Sequence, residues 1–268
     1  MARREPVHPW VEKMARFGYA TKGTVYFVIG ALAAATALRA GGETTDTHGA
    51  IAAVLRQPYG TVLTITVGVG LAAYALWRVV QAIWDTEGHG SETKEIGLRF
   101  GYFCSGLLHA SLAFSAFKLV AGWTGDDRQE HRDWTAKLLE LPFGPLLVAI
   151  VGFGVAAFAF AQFFKAWQRN FKEQLHTEKM NGPQRRWVVR ITQFGLSARG
   201  IVFLLVAWFF INAARKHDPN EAGGLADALH TLEYAPYGPA LLGVVAAGLI
   251  AYGGYMFVEA GFHRIRAR

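Results

Sequence analysis

Three copies of one short motif constrain this chain more than any other feature. The first is Arg16-Phe17-Gly18-Tyr19, followed by Lys22, Gly23 and Tyr26. It returns as Arg99-Phe100-Gly101-Tyr102 with Ser105, Gly106 and His109, and again as Gln193-Phe194-Gly195-Leu196 with Arg199, Gly200 and Phe203. The motif glycines are 83 and 94 residues apart, and each motif opens an apolar run. A second signature alternates with the first: Pro58-Tyr59-Gly60, Pro142-Phe143-Gly144 and Pro236-Tyr237-Gly238. Ten residues past each of these glycines stands another (Gly70, Gly154, Gly248), and four further on an aromatic (Tyr74, Phe158, Tyr252). The repeated unit is therefore a hairpin of two helices used three times. With an even number of spans per copy, every copy points the same way, which predicts parallel repeats about a pseudo-threefold axis along the membrane normal.

The apolar runs cover about 18–38, 60–84, 100–121, 143–167, 194–213 and 237–262. Each reaches the roughly 20 residues that span a bilayer. Composition agrees: 18% of the 268 residues are charged, against about 25% in soluble domains, and mean hydropathy is +0.21. The expected fold is an all-α polytopic membrane protein with six transmembrane helices. It divides into an N-terminal segment (1–13) and repeats at 14–86, 97–176 and 190–263. The first apolar run is too long for a signal peptide and belongs to the repeat, so it is expected to be retained. One face of the membrane receives 19 Lys and Arg against 9 Asp and Glu; the other receives 8 against 11. The positive-inside rule then puts both termini in the cytoplasm, and it accounts for the net charge of +7 without nucleic acid. The outer loops carry short amphipathic segments at 49–56, 134–140 and 225–232, each stopped by the following proline. The basic, aromatic connection at 165–190, with Trp167, Phe171, Leu175 and Trp187, suits anionic lipid headgroups.

Positions 16, 19, 23, 26 and 30 share one helix face. Small residues in membrane helices let backbones approach closely, so Gly18, Gly23, Gly101, Gly106, Gly195 and Gly200 are expected to be packing positions. The even helices end on Gln81, Lys165 and Glu259. At 1.5 Å per residue, Gln81 lies about 31 Å beyond Gly60, at the cytoplasmic edge. That trio serves either as interfacial anchors or a structural ion pair, or as a ligand, proton or partner site near the axis. His109 lies about 13 Å into its helix. It either fills the ring position held by Tyr26 and Phe203, or holds a ligand, and it is the one candidate cofactor residue. Haem between two histidines is disfavoured, because no second mid-membrane histidine exists. The single cysteine, Cys104, permits no intramolecular disulfide. His48, His131, His217 and His230 stand near Asp46, Asp133 and Asp227 without the spacing of a zinc site. Phosphate-cradling loops, nucleophile elbows and paired catalytic carboxylates are missing from the sequence, so no enzyme activity, metal or cofactor is expected.

In these residues the chain resembles the bacterial inner-membrane family called domain of unknown function 1206, whose two-helix unit normally occurs three times. The resemblance runs from about residue 14 to 262. It implies a bacterial inner-membrane location and brings no activity, cofactor or catalytic residue with it. The chain departs from the pattern at Gln193, Leu196 and His109. The expected function is that of a non-catalytic accessory or scaffold subunit that packs against membrane protein partners or lipids, or against itself. One alternative is a small-solute or ion transporter or channel along the axis, lined by His109, the Gln81/Lys165/Glu259 level and the Arg16/Arg99 level. Another is a subunit that binds a hydrophobic cofactor such as quinone, pigment or haem.

Overall fold

The computed structural model describes residues 9–84 (residue 43 apart), 93–123, 127–168 and 181–262. Residues 1–8 of the N-terminal segment, and Phe171 and Leu175 of the basic connection, lie outside these, as does the side chain of His131. Among the described residues the chain forms nine α-helices and no strand. The order is α1 (Pro9–Ala37), α2 (Thr47–Leu55), α3 (Gly60–Trp84), α4 (Thr93–Val120), α5 (Asp127–Leu139), α6 (Gly144–Gln168), α7 (Gly182–Lys216), α8 (Leu225–Glu233) and α9 (Gly238–Phe262). Helices α1, α3, α4, α6, α7 and α9 are long and apolar enough to cross a membrane. Each repeat contributes two of them, with a short helix between: α2, α5 and α8.

Three long helices, α1, α4 and α7, begin well before their apolar runs. At α7 the cause is local and visible in the sequence. Asn181 caps the Gln184 backbone N–H at 3.0 Å, and Gln184 answers with a contact to the Asn181 N–H at 3.3 Å. Pro183 sits in the first turn, where its missing N–H costs nothing. The resulting 35-residue helix is about 52 Å long and must project beyond a hydrocarbon core of about 30 Å.

The Pro-aromatic-Gly signature is a three-times-repeated corner. Tyr59, Phe143 and Tyr237 adopt φ of 61°, 62° and 61°, a left-handed conformation uncommon for ring residues. This reverses the chain between the short helix and the next span. The following glycine is forced by proximity. A Cβ on Gly60 would lie 1.9 Å from the Leu55 carbonyl oxygen, on Gly144 2.4 Å from that of Leu139, and on Gly238 1.9 Å from that of Glu233. Gly238→Ala should therefore open the corner and destabilise the protein by about 2 kcal/mol, the scale of an overpacked backbone site. Thermal unfolding in detergent checks this.

The spans form a ring in chain order: α1 packs on α3, α3 on α4, α6 on α7, α7 on α9, and α9 back on α1. The first motif position fastens successive repeats. Arg16 donates to the carbonyls of Ala260 (2.7 Å) and Gly261 in the last turn of α9. Arg99 does the same to Ala82 (2.7 Å) and Ile83 (2.8 Å) of α3, and the amide of Gln193 to Ala166 of α6 (3.0 Å). The final carbonyls of a helix lack intrahelical donors, so a side chain from the next repeat satisfies them. A neutral amide can do this as an arginine can, so Gln193 keeps the role without the charge. Arg16 and Arg99 are thus committed to helix ends. Arg16→Ala should cost about 1–2 kcal/mol through the lost bonds between the first and third repeats, whereas Gln193→Arg should be neutral; both are read from the unfolding midpoint.

Candidate functional site

Inside the ring, toward the end where α1 begins and α9 finishes, lies a cluster of charged and aromatic side chains. It starts at the residue just before the second motif glycine. In the first repeat this is Lys22, 4% exposed. Its Nζ donates to the Tyr74 hydroxyl at 3.0 Å and lies 4.4 Å from the centre of that ring. The same hydroxyl accepts from Arg78 Nε at 2.8 Å, and the Arg78 guanidinium also donates to Gln81 Oε1 at 2.9 Å. Tyr102 from α4 covers the other side of Arg78, its ring centre 5.0 Å away. Tyr19 meets Tyr74 edge to face at 5.4 Å and accepts from Trp77 Nε1 at 3.3 Å.

In the third repeat the equivalent residue is Arg199, 7% exposed. It donates to the Tyr26 hydroxyl (3.1 Å) and to Gln162 Oε1 (3.4 Å). Its guanidinium lies between four rings, those of Tyr252 (4.7 Å), Phe158 (5.0 Å), Phe203 (5.0 Å) and Tyr26 (5.4 Å). Such a cage stabilises a cation through the ring quadrupoles once water is gone. Arg199, Arg78 and Lys165 all lie close enough to repel Lys22, and Glu259 close enough to attract it.

The sequence candidates fall around this cluster. Gln81 and Glu259 are buried, at 1% and 2% exposure. Gln81 orients Arg78, and Glu259 accepts a hydrogen bond from the Tyr255 hydroxyl. Lys165 is half-buried with its Nζ 5.7 Å from the Tyr255 ring. His109 is half-buried; its Nδ1 contacts the Ser105 carbonyl at 2.7 Å, and its ring lies 4.5 Å from that of Tyr74. Among the described residues no group of three or more His, Cys, Asp or Glu is placed to hold a metal. Lys22, Arg78, Gln162 and Arg199 were not candidates at the sequence level. The overlooked signal was a cation at the same motif position in two of three copies, one turn inside an apolar helix.

The glycines divide by what they touch. A Cβ on Gly18 would lie 2.7 Å from the Tyr74 backbone, and one on Gly195 2.5 Å from that of Tyr252. These contacts close the hairpins of the first and third repeats. Gly23 faces Gly253 and Met256 of α9, Gly106 faces Val79 and Ala75 of α3, and Gly200 faces Phe163 of α6, all across repeat boundaries. Gly101, the second-repeat equivalent of Gly18, meets nothing within 4 Å. Gly154 likewise meets nothing, whereas Gly70 and Gly248 abut Thr21 and Ala198. The helices of the second repeat, α4 and α6, hardly touch. In consequence Phe158 is 40% exposed where Tyr74 and Tyr252 are buried. The ring is open at this one pair of neighbouring spans, and one wall of the Arg199 cage lines the opening.

The fold and this interior define a polytopic membrane protein of three parallel helical hairpins around a cationic, aromatic core. A family model described as Domain of Unknown Function (DUF1206) matches three tandem stretches, residues 17–85, 100–169 and 194–263, and the chain belongs to that family. It is 35% identical over 256 residues to "Uncharacterized protein YxxB" of Bacillus subtilis (strain 168), an alignment covering 96% of this chain and 92% of the relative. No solved structure matches it significantly.

Proposed function

We propose that this chain is a non-catalytic integral membrane protein that works by binding, and that its second repeat takes up a lipid between α4 and α6. The observation that carries the reading is the pair Gly101 and Gly154, which face open space where their counterparts in the other repeats are locked against a helix. A small-residue face in a membrane helix gains its stability from close contact, so leaving one uncovered forgoes packing that the other two repeats make. The exposed rims are apolar: Leu108, on the Gly101 face of α4, is 64% exposed where its counterparts Val25 and Val202 are buried, and Ile150 and Phe158 flank Gly154 on α6. Acyl chains can follow such a cleft, whereas water gains nothing there.

Binding is favoured over conduction by the aromatic rings that pack together within the cluster. Tyr26 and Tyr252 meet at 4.7 Å, and Phe158 and Phe203 at 5.1 Å. The charge asymmetry of the loops supports a bacterial cytoplasmic membrane with both termini inside. A photo-reactive residue at position 154, with one at 248 as control, tests the reading in intact membranes. A lipid adduct at 154 and none at 248 is expected. Cross-linking of 154 to a second copy or to another protein would replace the lipid with a protein partner, in keeping with a scaffold role. Equal labelling at both positions would refute a specific cleft.

A further inference from the structure

We infer that the lipid bound in the second repeat is anionic, its phosphate held by Arg78 and Lys165 at the mouth of the cluster, with Lys22 and Arg199 behind them. The inference rests on the cleft being a lipid site and adds the chemistry of the headgroup. Lys22, Arg78 and Arg199 have hydroxyl, amide and ring partners, but among the described residues none has a carboxylate within ion-pair distance. Among the described residues, Arg78 and Arg199 thus carry their charge with no carboxylate at ion-pair distance, in a region walled by Trp77, Tyr74, Tyr252 and Tyr255.

An arginine cannot shed its proton to relieve this. Buried charge persists at tolerable cost only when paired, so the cluster needs a counter-anion. The opening between α4 and α6 decides how that anion arrives. Arg78, reached past Tyr102 of α4, and Lys165 on α6 are the half-buried members. They stand near the terminal end of the span, 18 and 21 residues beyond Gly60 and Gly144. At about 1.5 Å per residue this is 27–31 Å along the helix, the depth of the headgroups in one leaflet. A phosphate there would face the cations while its acyl chains ran along Phe158 and Gly154 toward the bilayer centre. The guanidinium supplies directed donors to phosphate oxygens, and the ammonium a point charge.

The test uses the full chain, purified and delipidated in detergent, with lipid binding read by native mass spectrometry. Phosphatidylglycerol should bind at least about tenfold more tightly than phosphatidylcholine with the same chains. Arg78→Gln and Lys165→Gln should each reduce phosphatidylglycerol binding by about tenfold, the scale of a lost charge-assisted bond, and leave phosphatidylcholine unchanged. Lys165→Gln is half-buried and serves as the readout if Arg78→Gln fails to fold. Gly154→Trp should abolish binding of both lipids. Equal affinity for the two lipids, unaffected by the glutamine variants, would overturn the anionic headgroup while leaving the lipid cleft standing. No lipid binding, or binding indifferent to Gly154→Trp, would overturn the cleft itself. Displacement of phosphatidylglycerol by millimolar inorganic phosphate would overturn the lipid in favour of a free anion.

Discussion

Gly195→Val will destabilise this protein severely, whereas Gly101→Val, at the equivalent position one repeat earlier, will leave it nearly unchanged. At Gly195 a first side-chain carbon would lie 2.5 Å from the backbone nitrogen of Tyr252 and 2.7 Å from its Cα. A backbone cannot swing aside as a side chain can, so α7 and α9 would have to separate along their length. The loss should reach about 3 kcal/mol or more, the upper range for overpacking a tight site. At Gly101 the same carbon meets nothing within 4 Å, and the effect should stay within about 0.5 kcal/mol, as at an ordinary surface position. Both are measured by denaturant titration in mild detergent, with the eight tryptophans as reporters. Equal losses at the two positions would show that α4 and α6 close in the membrane and would remove the basis of the lipid cleft.

Tyr74→Phe is the second large effect. The change removes one oxygen and keeps the shape of a fully buried ring. That oxygen accepts from both Lys22 and Arg78. Without it, Lys22 loses its hydrogen-bond acceptor and Arg78 keeps only Gln81 Oε1. Leaving a buried charged donor unsatisfied costs about 3 kcal/mol, far more than a hydrogen bond contributes on average. The chain carries its own control. Where the odd helix brings Lys22, the even helix has Tyr74; where it brings Arg199, it has Tyr252; where it brings Ser105, it has Phe158. The hydroxyl accompanies the cation. Lys22→Met should therefore be partly compensating in the Tyr74→Phe background, so that the double variant is more stable than the sum of the single losses implies. Strict additivity in that cycle would show that Lys22 does not depend on Tyr74.

Much of the architecture was legible from spacing. Six apolar runs, two alternating signatures and their constant offsets give the helix number, the hairpin unit and the common orientation, because bilayer thickness fixes span length and parity fixes direction. The short loop helices were legible from their apolar spacing and the proline that stops them. The early start of α7 was legible too, in Asn181-Gly182-Pro183-Gln184, but apolar runs mark where a helix enters lipid rather than where it begins. The reason Arg16 and Arg99 recur was hidden, since the carbonyls they cap belong to other helices, α9 and α3, 244 and 17 residues away.

The interior was harder. Lys22 and Arg199 stand in the quoted motif, yet a lysine near a helix start usually reaches back to the headgroups. Only packing shows that these two turn inward, Lys22 onto Tyr74 and Arg199 into a cage drawn from α1, α6, α7 and α9. The sequence by itself determined three equivalent hairpins, because period and hydrophobicity are local properties of the chain. Tertiary structure decided that they are not equivalent: Gly18 and Gly195 close their hairpins, and Gly101 does not. Identical glycines can meet a backbone or an open cleft, since the outcome depends on how far the neighbouring helices are held apart by side chains elsewhere. That separation is set by the whole ring.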